Sequence, residues 1–251
     1  MCHNSCGQSS EAVSVHSSLD ASSLSRMGDF RNPAVAENWH ATQLDHRARG
    51  RQLDLLIDLV VGLAPARLLD IGVGSGLVAE RVLERLSEVS LVGVDFSAVM
   101  LAQARTRLAP FADRVDLVEG DVSRPEAIRR SDGRPFDAAI TVQTLHNIGH
   151  EGQQRALGWA NSVLAPAAVL LSLDKVTIPQ PLYDLYVSLG PSSTLGDFPE
   201  SFDEYETRET QAGEHSPRLE VYLDWLRDAG FEAGELDVEA NYALIAARAR
   251  A

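Results

Sequence analysis

The sequence predicts an α/β protein on a doubly wound, seven-stranded Rossmann-like sheet, and three observations carry that reading. Short apolar runs alternate with amphipathic segments from Arg67 to Leu173, as in a parallel sheet covered by helices on both faces. The first run ends in an acid and enters a glycine-rich turn, Leu68-Leu69-Asp70-Ile71-Gly72-Val73-Gly74-Ser75-Gly76. Its glycines let the backbone turn tightly and approach a ligand with no Cβ in the way. Acids also follow the second and third apolar runs, at Asp95 and Asp121. A length of 251 residues suits one such domain with modest additions.

Residues 1–30, rich in serine and without apolar periodicity, read as a disordered leader, which leaves 31–251 as the domain. From Pro33 to Leu63, Trp39, Leu44, Leu53, Leu56, Ile57, Val60 and Val61 recur at helical steps and predict two helices over the sheet. Strands then follow at Arg67–Ile71, Ser90–Asp95, Val115–Glu119, Phe136–Val142 and Ala167–Leu173. Helices separate them at Leu77–Leu86, Ala98–Leu108 and Gly152–Leu164, the last ended by Pro166. Between Asp174 and Pro217 the prolines 179, 181, 191, 199 and 217 break the alternation and predict irregular helices, a lid at about 175–216. A helix over Leu219–Ala229 stops at Gly230, and Glu235–Glu239 with Ala243–Ala247 forms an antiparallel closing hairpin.

The net charge of −14 repels phosphate backbones and anionic lipid headgroups, so nucleic acid is a disfavoured partner. The basic run His46-Arg47-Ala48-Arg49-Gly50-Arg51 reads as a solvated helix face. No window approaches the ~18 continuous apolar residues that span a bilayer, which excludes membrane insertion. Cys2 and Cys6 flank His3 within the polar leader and read as tail rather than metal site, so no metal is expected. No apolar segment follows Met1, which points to the cytoplasm.

The spacing Gly72-x-Gly74-x-Gly76 differs from the G-x-G-x-x-G of nicotinamide enzymes, but both cofactor classes share the next acid. That acid, Asp95, lies about 20 residues past Gly76, where a carboxylate takes ribose hydroxyls. The third strand separates the two classes: Asp121 can accept from an adenine amino group while the Val122 N–H meets a ring nitrogen. Met100, one turn into the second helix, can pack on the base. The fourth strand and its end, Phe136 to Asn147, bring Gln143 and His146 to the same carboxyl edge of the sheet.

In order and spacing, Leu68–Gly76, Val92–Ser97, Glu119–Val122 and Phe136–His146 resemble the successive motifs of class I S-adenosylmethionine-dependent methyltransferases. The similarity runs from about Trp39 to Arg248. Leu164-Ala165-Pro166, Leu173-Asp174-Lys175 and Tyr222 to Phe231 resemble the later part of the family, particularly its small-molecule branches and the carboxy-S-adenosylmethionine relatives. Ala167-Ala168 stands where many members carry a Gly-Gly turn. The resemblance implies S-adenosyl-L-methionine as cofactor, with Asp70 orienting the loop and holding the methionine ammonium. It further implies that Gly72 and Gly74 allow close approach, Asp95 binds the ribose, Asp121 and Val122 bind adenine, and Gln143 faces the methionyl end.

The implied reaction is in-line methyl transfer to an O, N or C atom of a small metabolite, aromatic ones included. An acceptor that must lose a proton needs a base, and His146 is the best placed candidate, ahead of His150 and His215. Trp39, His40, Tyr183, Tyr186 and Phe198 are candidate acceptor contacts, each with ordinary packing as the competing role. Arg208 reads as a surface ion pair among Glu204, Glu206 and Glu209 rather than an acceptor contact. The competing functions are tRNA wobble-base modification or carboxy-S-adenosylmethionine-type chemistry, a non-catalytic cofactor-binding protein and, furthest out, a nucleotide-dependent dehydrogenase. A homodimer is compatible with the sequence.

Overall fold

The computed structural model describes residues 47–128, 133–189, 201–211 and 213–250. The leader, Trp39, His40 and Phe198 lie outside the described residues. Strands β1 (Arg67–Ile71), β2 (Ser90–Asp95), β3 (Val115–Glu119), β4 (Phe136–Val142), β5 (Leu164–Lys175), β6 (Phe231–Glu239) and β7 (Tyr242–Ala249) form one sheet in the order β3-β2-β1-β4-β5-β7-β6. The first five strands are parallel, whereas β7 runs antiparallel between β5 and β6. The helices are α1 (Arg47–Leu63), α2 (Leu77–Arg85), α3 (Ala98–Arg107), α4 (His150–Val163), α5 (Gln180–Leu189), α6 (Phe202–Gln211) and α7 (Leu219–Asp228).

Alternation along each strand divides the core in two. Leu68, Ala138, Ile140, Leu171 and Leu244 face α1, α2 and α3 through Leu56, Val60, Val82 and Leu101. Leu69, Ala139, Leu170 and Ile245 face α4 and α7 through Leu157, Ala160, Tyr222 and Leu226. Burying strands on both faces is what lets them read as near-continuous apolar runs rather than alternating ones. The insert makes a third, small cluster in which Tyr183 and Tyr205 pack with Ile178 and Phe202.

Among the described residues the element order matches the sequence expectation and the differences lie at boundaries, while the part of the expected Pro33–Leu63 helices before Arg47 lies outside the described residues. β5 begins at Leu164 and carries Pro166 inside it, because the register with β4 slips between Phe136 and Ala138 and frees that stretch from regular pairing. The hairpin strands are longer than expected, and a bulge between Glu235 and Asp237 bends the sheet edge at β6. Arg51, from the basic run, is 57% exposed and pairs with Asp237 and Glu239 of β6, so this part of the run is a solvated face tied to the hairpin.

Candidate active site

The strand order reverses between β1 and β4, and open α/β sheets bind ligands beyond the carboxyl ends of the strands at such a point. A cavity of about 340 Å³ opens there. Asp70, Gly72, Gly74, Asp95, Met100, Asp121, Val122 and Gln143 all line it, so every position assigned to the cofactor from sequence converges on one space. Gly50, Leu53 and Asp54 of α1 and Leu77, Val78 and Arg81 of α2 complete one wall, and Thr144, Asn147 and Ile148 another.

Backbone shape builds the glycine side. Gly72 has φ +77°, and a Cβ there would lie 2.1 Å from Thr144 Oγ1, so a side chain would collide with the turn after β4. Gly74 has φ +54°, and its N–H donates to Asp95 Oδ2 at 2.9 Å while Ser97 N–H donates to Oδ1 at 2.8 Å. These bonds tie the loop to the end of β2. Burial pushes the Asp95 carboxyl above the usual range, and the backbone donors offset only part of that. Asp70 is 2% exposed. Burial, with the charge of Asp95, pushes its carboxyl up to about 7, and no hydrogen-bond donor counters the effect. Two neighbouring buried carboxylates, one of them without a donor, suit a cationic ligand, and the bare-backbone cradle at Gly72 and Gly74 suits one that lies flat against the loop.

Side chains build the other half. Gln143 ends β4 with φ +50°, a left-handed conformation uncommon outside glycine, held by its N–H donating to Leu173 O at 2.8 Å. Asp174, at the end of β5, grips the following turn: Oδ2 accepts from Leu145 N at 2.7 Å and Thr144 N at 3.2 Å, and Oδ1 is paired with His146 Nδ1. His146 is 2% exposed and stands behind the cavity wall rather than on it. With Nδ1 taken by Asp174, the ring presents Nε2, which bonds to no described residue.

Tyr183 and Tyr186 do not line the cavity. Tyr183 is fully buried against Phe202 and Tyr205, with Tyr186 packed beside it, so their i, i+3 spacing marks the insert's own core. Thr144 and Asp174 were not singled out as site residues from sequence. A signal for Asp174 existed, since it is an acid at the carboxyl end of a strand, as Asp95 is. His150 stacks against Trp225, and His215 stands edge-on to His150, away from the cavity wall.

Residues 68–167 match the family described as a methyltransferase domain. The demethylmenaquinone methyltransferase of Thermus thermophilus is 34% identical over 118 residues, 47% of this chain and 51% of that one. These matches make the chain similar to the class I S-adenosylmethionine-dependent methyltransferases over the part that carries the glycine loop and the first four strands. A ubiquinone/menaquinone biosynthesis C-methyltransferase of Roseobacter denitrificans is 29% identical over 186 residues, 71% of each chain. The match to the Thermus protein thus spans about half of that relative's length. A putative O-methyltransferase of Nostoc punctiforme superposes with a TM-score of 0.63 at 18% identity, over 85% of this chain and 60% of its own, a likeness of fold. Among the described residues no helix is long and apolar enough to cross a membrane, and no cluster of ligands is suited to a metal.

Proposed function

We propose that the chain transfers the methyl group of S-adenosylmethionine to a small-molecule acceptor in the cytoplasm. The observation that carries this reading is the cavity wall itself: a glycine cradle with two buried carboxylates, Asp70 and Asp95, at the switch point. Asp70 would hold the methionine ammonium, Asp95 the ribose and Asp121 with Val122 the adenine, while Met100 packs on the base and Gln143 meets the methionyl end. The bound cofactor supplies an electrophilic methyl group, and the protein's task is to align the acceptor and exclude water. The insert at about 175–216 would act as the lid on the acceptor side.

His146 is the candidate base for acceptors that must lose a proton. Asp174 fixes the ring through Nδ1, which leaves Nε2 as the atom to take that proton. A small acceptor is favoured over nucleic acid by the net charge of −14. The relatives named for quinone methylation make a hydroxylated aromatic ring the first acceptor class to try.

Calorimetric titration with S-adenosylhomocysteine and with NADH tests the cofactor. Binding of S-adenosylhomocysteine alone is expected, and binding of NADH alone would overturn the reading. A labelled-methyl screen against phenols, hydroxylated quinols and amines then tests the acceptor. Tight cofactor binding with no transfer to any metabolite would identify a non-catalytic cofactor-binding protein instead.

A further inference from the structure

Asp174 and Lys175 are consecutive at the end of β5 and hold different things. Asp174 grips the cavity turn 143–148, whereas Lys175 Nζ lies 2.5 Å from both carboxylate oxygens of Glu214, on the strap of residues 213–218 that precedes α7. This ion pair is largely buried, with side-chain exposures of 13% for Lys175 and 11% for Glu214. The strap also touches the cavity turn directly: His215 N–H donates to His146 O at 2.7 Å, and Gln153 Nε2 bridges His215 O and Ile148 O. Thr177 fastens its far end through Ser216 O and Pro217 O. The third member is Glu209, in the last turn of α6, whose carboxyl meets that of Glu214 and whose Oε2 is buried without a donor.

We propose that Lys175 and the Glu209–Glu214 carboxyl pair position the acceptor side of the cavity, latching the insert to the turn that carries Gln143, Thr144 and Asn147 while the pair keeps one proton. That the turn borders a bound cofactor rests on the methyltransferase reading above, whereas the latch itself does not. Two carboxylates and one ammonium in a buried space are neutral only with that proton present. The groups facing the pair are Lys175 from β5, Tyr242 from β7, His146 from the cavity turn, and Tyr205 and Arg208 from α6. Burial, then the hydrogen bond to Glu214, pushes Glu209 up to about 8. Burial would raise Glu214 as well, but Glu209, Lys175 and His146 hold it down to about 2. Burial would lower Lys175, and Glu214, Tyr242 and Glu209 hold it above the usual lysine range.

The sign follows from linkage. A carboxyl whose folded pKa is raised favours the closed latch below its ordinary pKa, and that contribution is lost as pH rises through about 8. Amide hydrogen exchange on the full chain reads the latch without ligand, once corrected for the intrinsic pH dependence of exchange. The His215 amide reports the strap and the Leu145 amide reports the cavity turn. In the wild type, opening at both amides should rise by up to about tenfold per pH unit from the ordinary carboxylate range up to about 8 and level off above it. Glu209→Gln keeps the shape and a donor for Glu214 at every pH, so both amides should stay protected. Lys175→Met should open both at every pH.

Opening confined to His215, or the same pH profile in wild type and Glu209→Gln, would overturn the proposal. Titration with S-adenosylhomocysteine runs beside it. Absence of ligand binding with the exchange pattern intact would sink the methyltransferase reading and leave the latch standing, and binding with a flat exchange profile would do the reverse.

Discussion

The two halves of the cavity are built by different means. On the glycine side, backbone geometry within about 50 residues of chain makes the site: a left-handed loop, two strand-end acids and N–H groups donated to Asp95. On the β4–β5 side, Asp174 reaches back 28 to 30 residues to fix the turn, and Gln153 reaches forward 62 residues to fix the strap. The first half tolerates no side chain at a given position, whereas the second needs particular side chains in contact. Damage to the first should therefore be steric and to the second electrostatic.

The largest effect is expected from Gly72→Ala. The new Cβ would stand 2.1 Å from Thr144 Oγ1 in a conformation with φ +77°, so loop and turn must separate. Strain of roughly 1–3 kcal/mol for the left-handed residue adds to that collision. Affinity for S-adenosylhomocysteine should fall at least ~100-fold, which corresponds to about 2.7 kcal/mol. A calorimetric Kd within tenfold of wild type would show that the two halves are not in the contact described.

Asp70→Asn comes next, and pH separates its two consequences. The Asp70 carboxyl is raised to about 7 in the folded protein, so the ligand-free wild type loses stability as pH climbs from the ordinary carboxylate range through 7. The limit of that loss is on the order of 4 kcal/mol. Asn does not titrate, so thermal unfolding without ligand should show the variant more stable than wild type at pH ~8 and the two converging near pH ~4. Ligand binding should move the other way, wild-type affinity rising through pH ~7 as the carboxylate becomes available to the cofactor ammonium, with the variant weak and flat. Parallel pH curves for the two proteins would exclude Asp70 as the cationic ligand's partner.

These expectations also mark what the sequence could reveal. Asp70, Asp95 and Asp121 could be placed on the cavity wall because an acid at or just past the carboxyl end of an apolar strand is a local pattern, as is the order of the described strands and helices. The sequence offers His146 as a candidate base but not its pairing with Asp174, since that partner lies on the next strand and no spacing rule links them. Tyr183 and Tyr186 show the converse: helical spacing put them on one face, and that face turned out to be the insert's own core. The Lys175–Glu214–Glu209 group has no linear signature, because two charges come from the insert and the third from the sheet.

Asp174→Asn probes the side-chain half at smaller scale. An amide oxygen can still accept from Leu145 or Thr144, but the charge-assisted bonds are lost, a change of roughly 1–3 kcal/mol. Unfolding by urea should show that loss with an unchanged m value, and transfer to hydroxyl acceptors should fall in kcat more than in KM as the His146 ring loses its orientation. Equal falls for acceptors that carry no exchangeable proton would assign Asp174 to the turn alone.

Arg81→Ala should do least, and its small size is informative. Arg81 pairs with Asp54 at 2.5 Å on the cavity's outer wall, with side chains 39% and 63% exposed. Such pairs contribute about 0–1 kcal/mol, because water screens them and two long side chains must be held in one geometry. Thermal stability should change by no more than a degree or two, and cofactor affinity by less than about threefold. If affinity falls tenfold or more while stability is unchanged, Arg81 binds the ligand in place of Asp54, and the cofactor's anionic end then lies against α2 as well as the glycine loop.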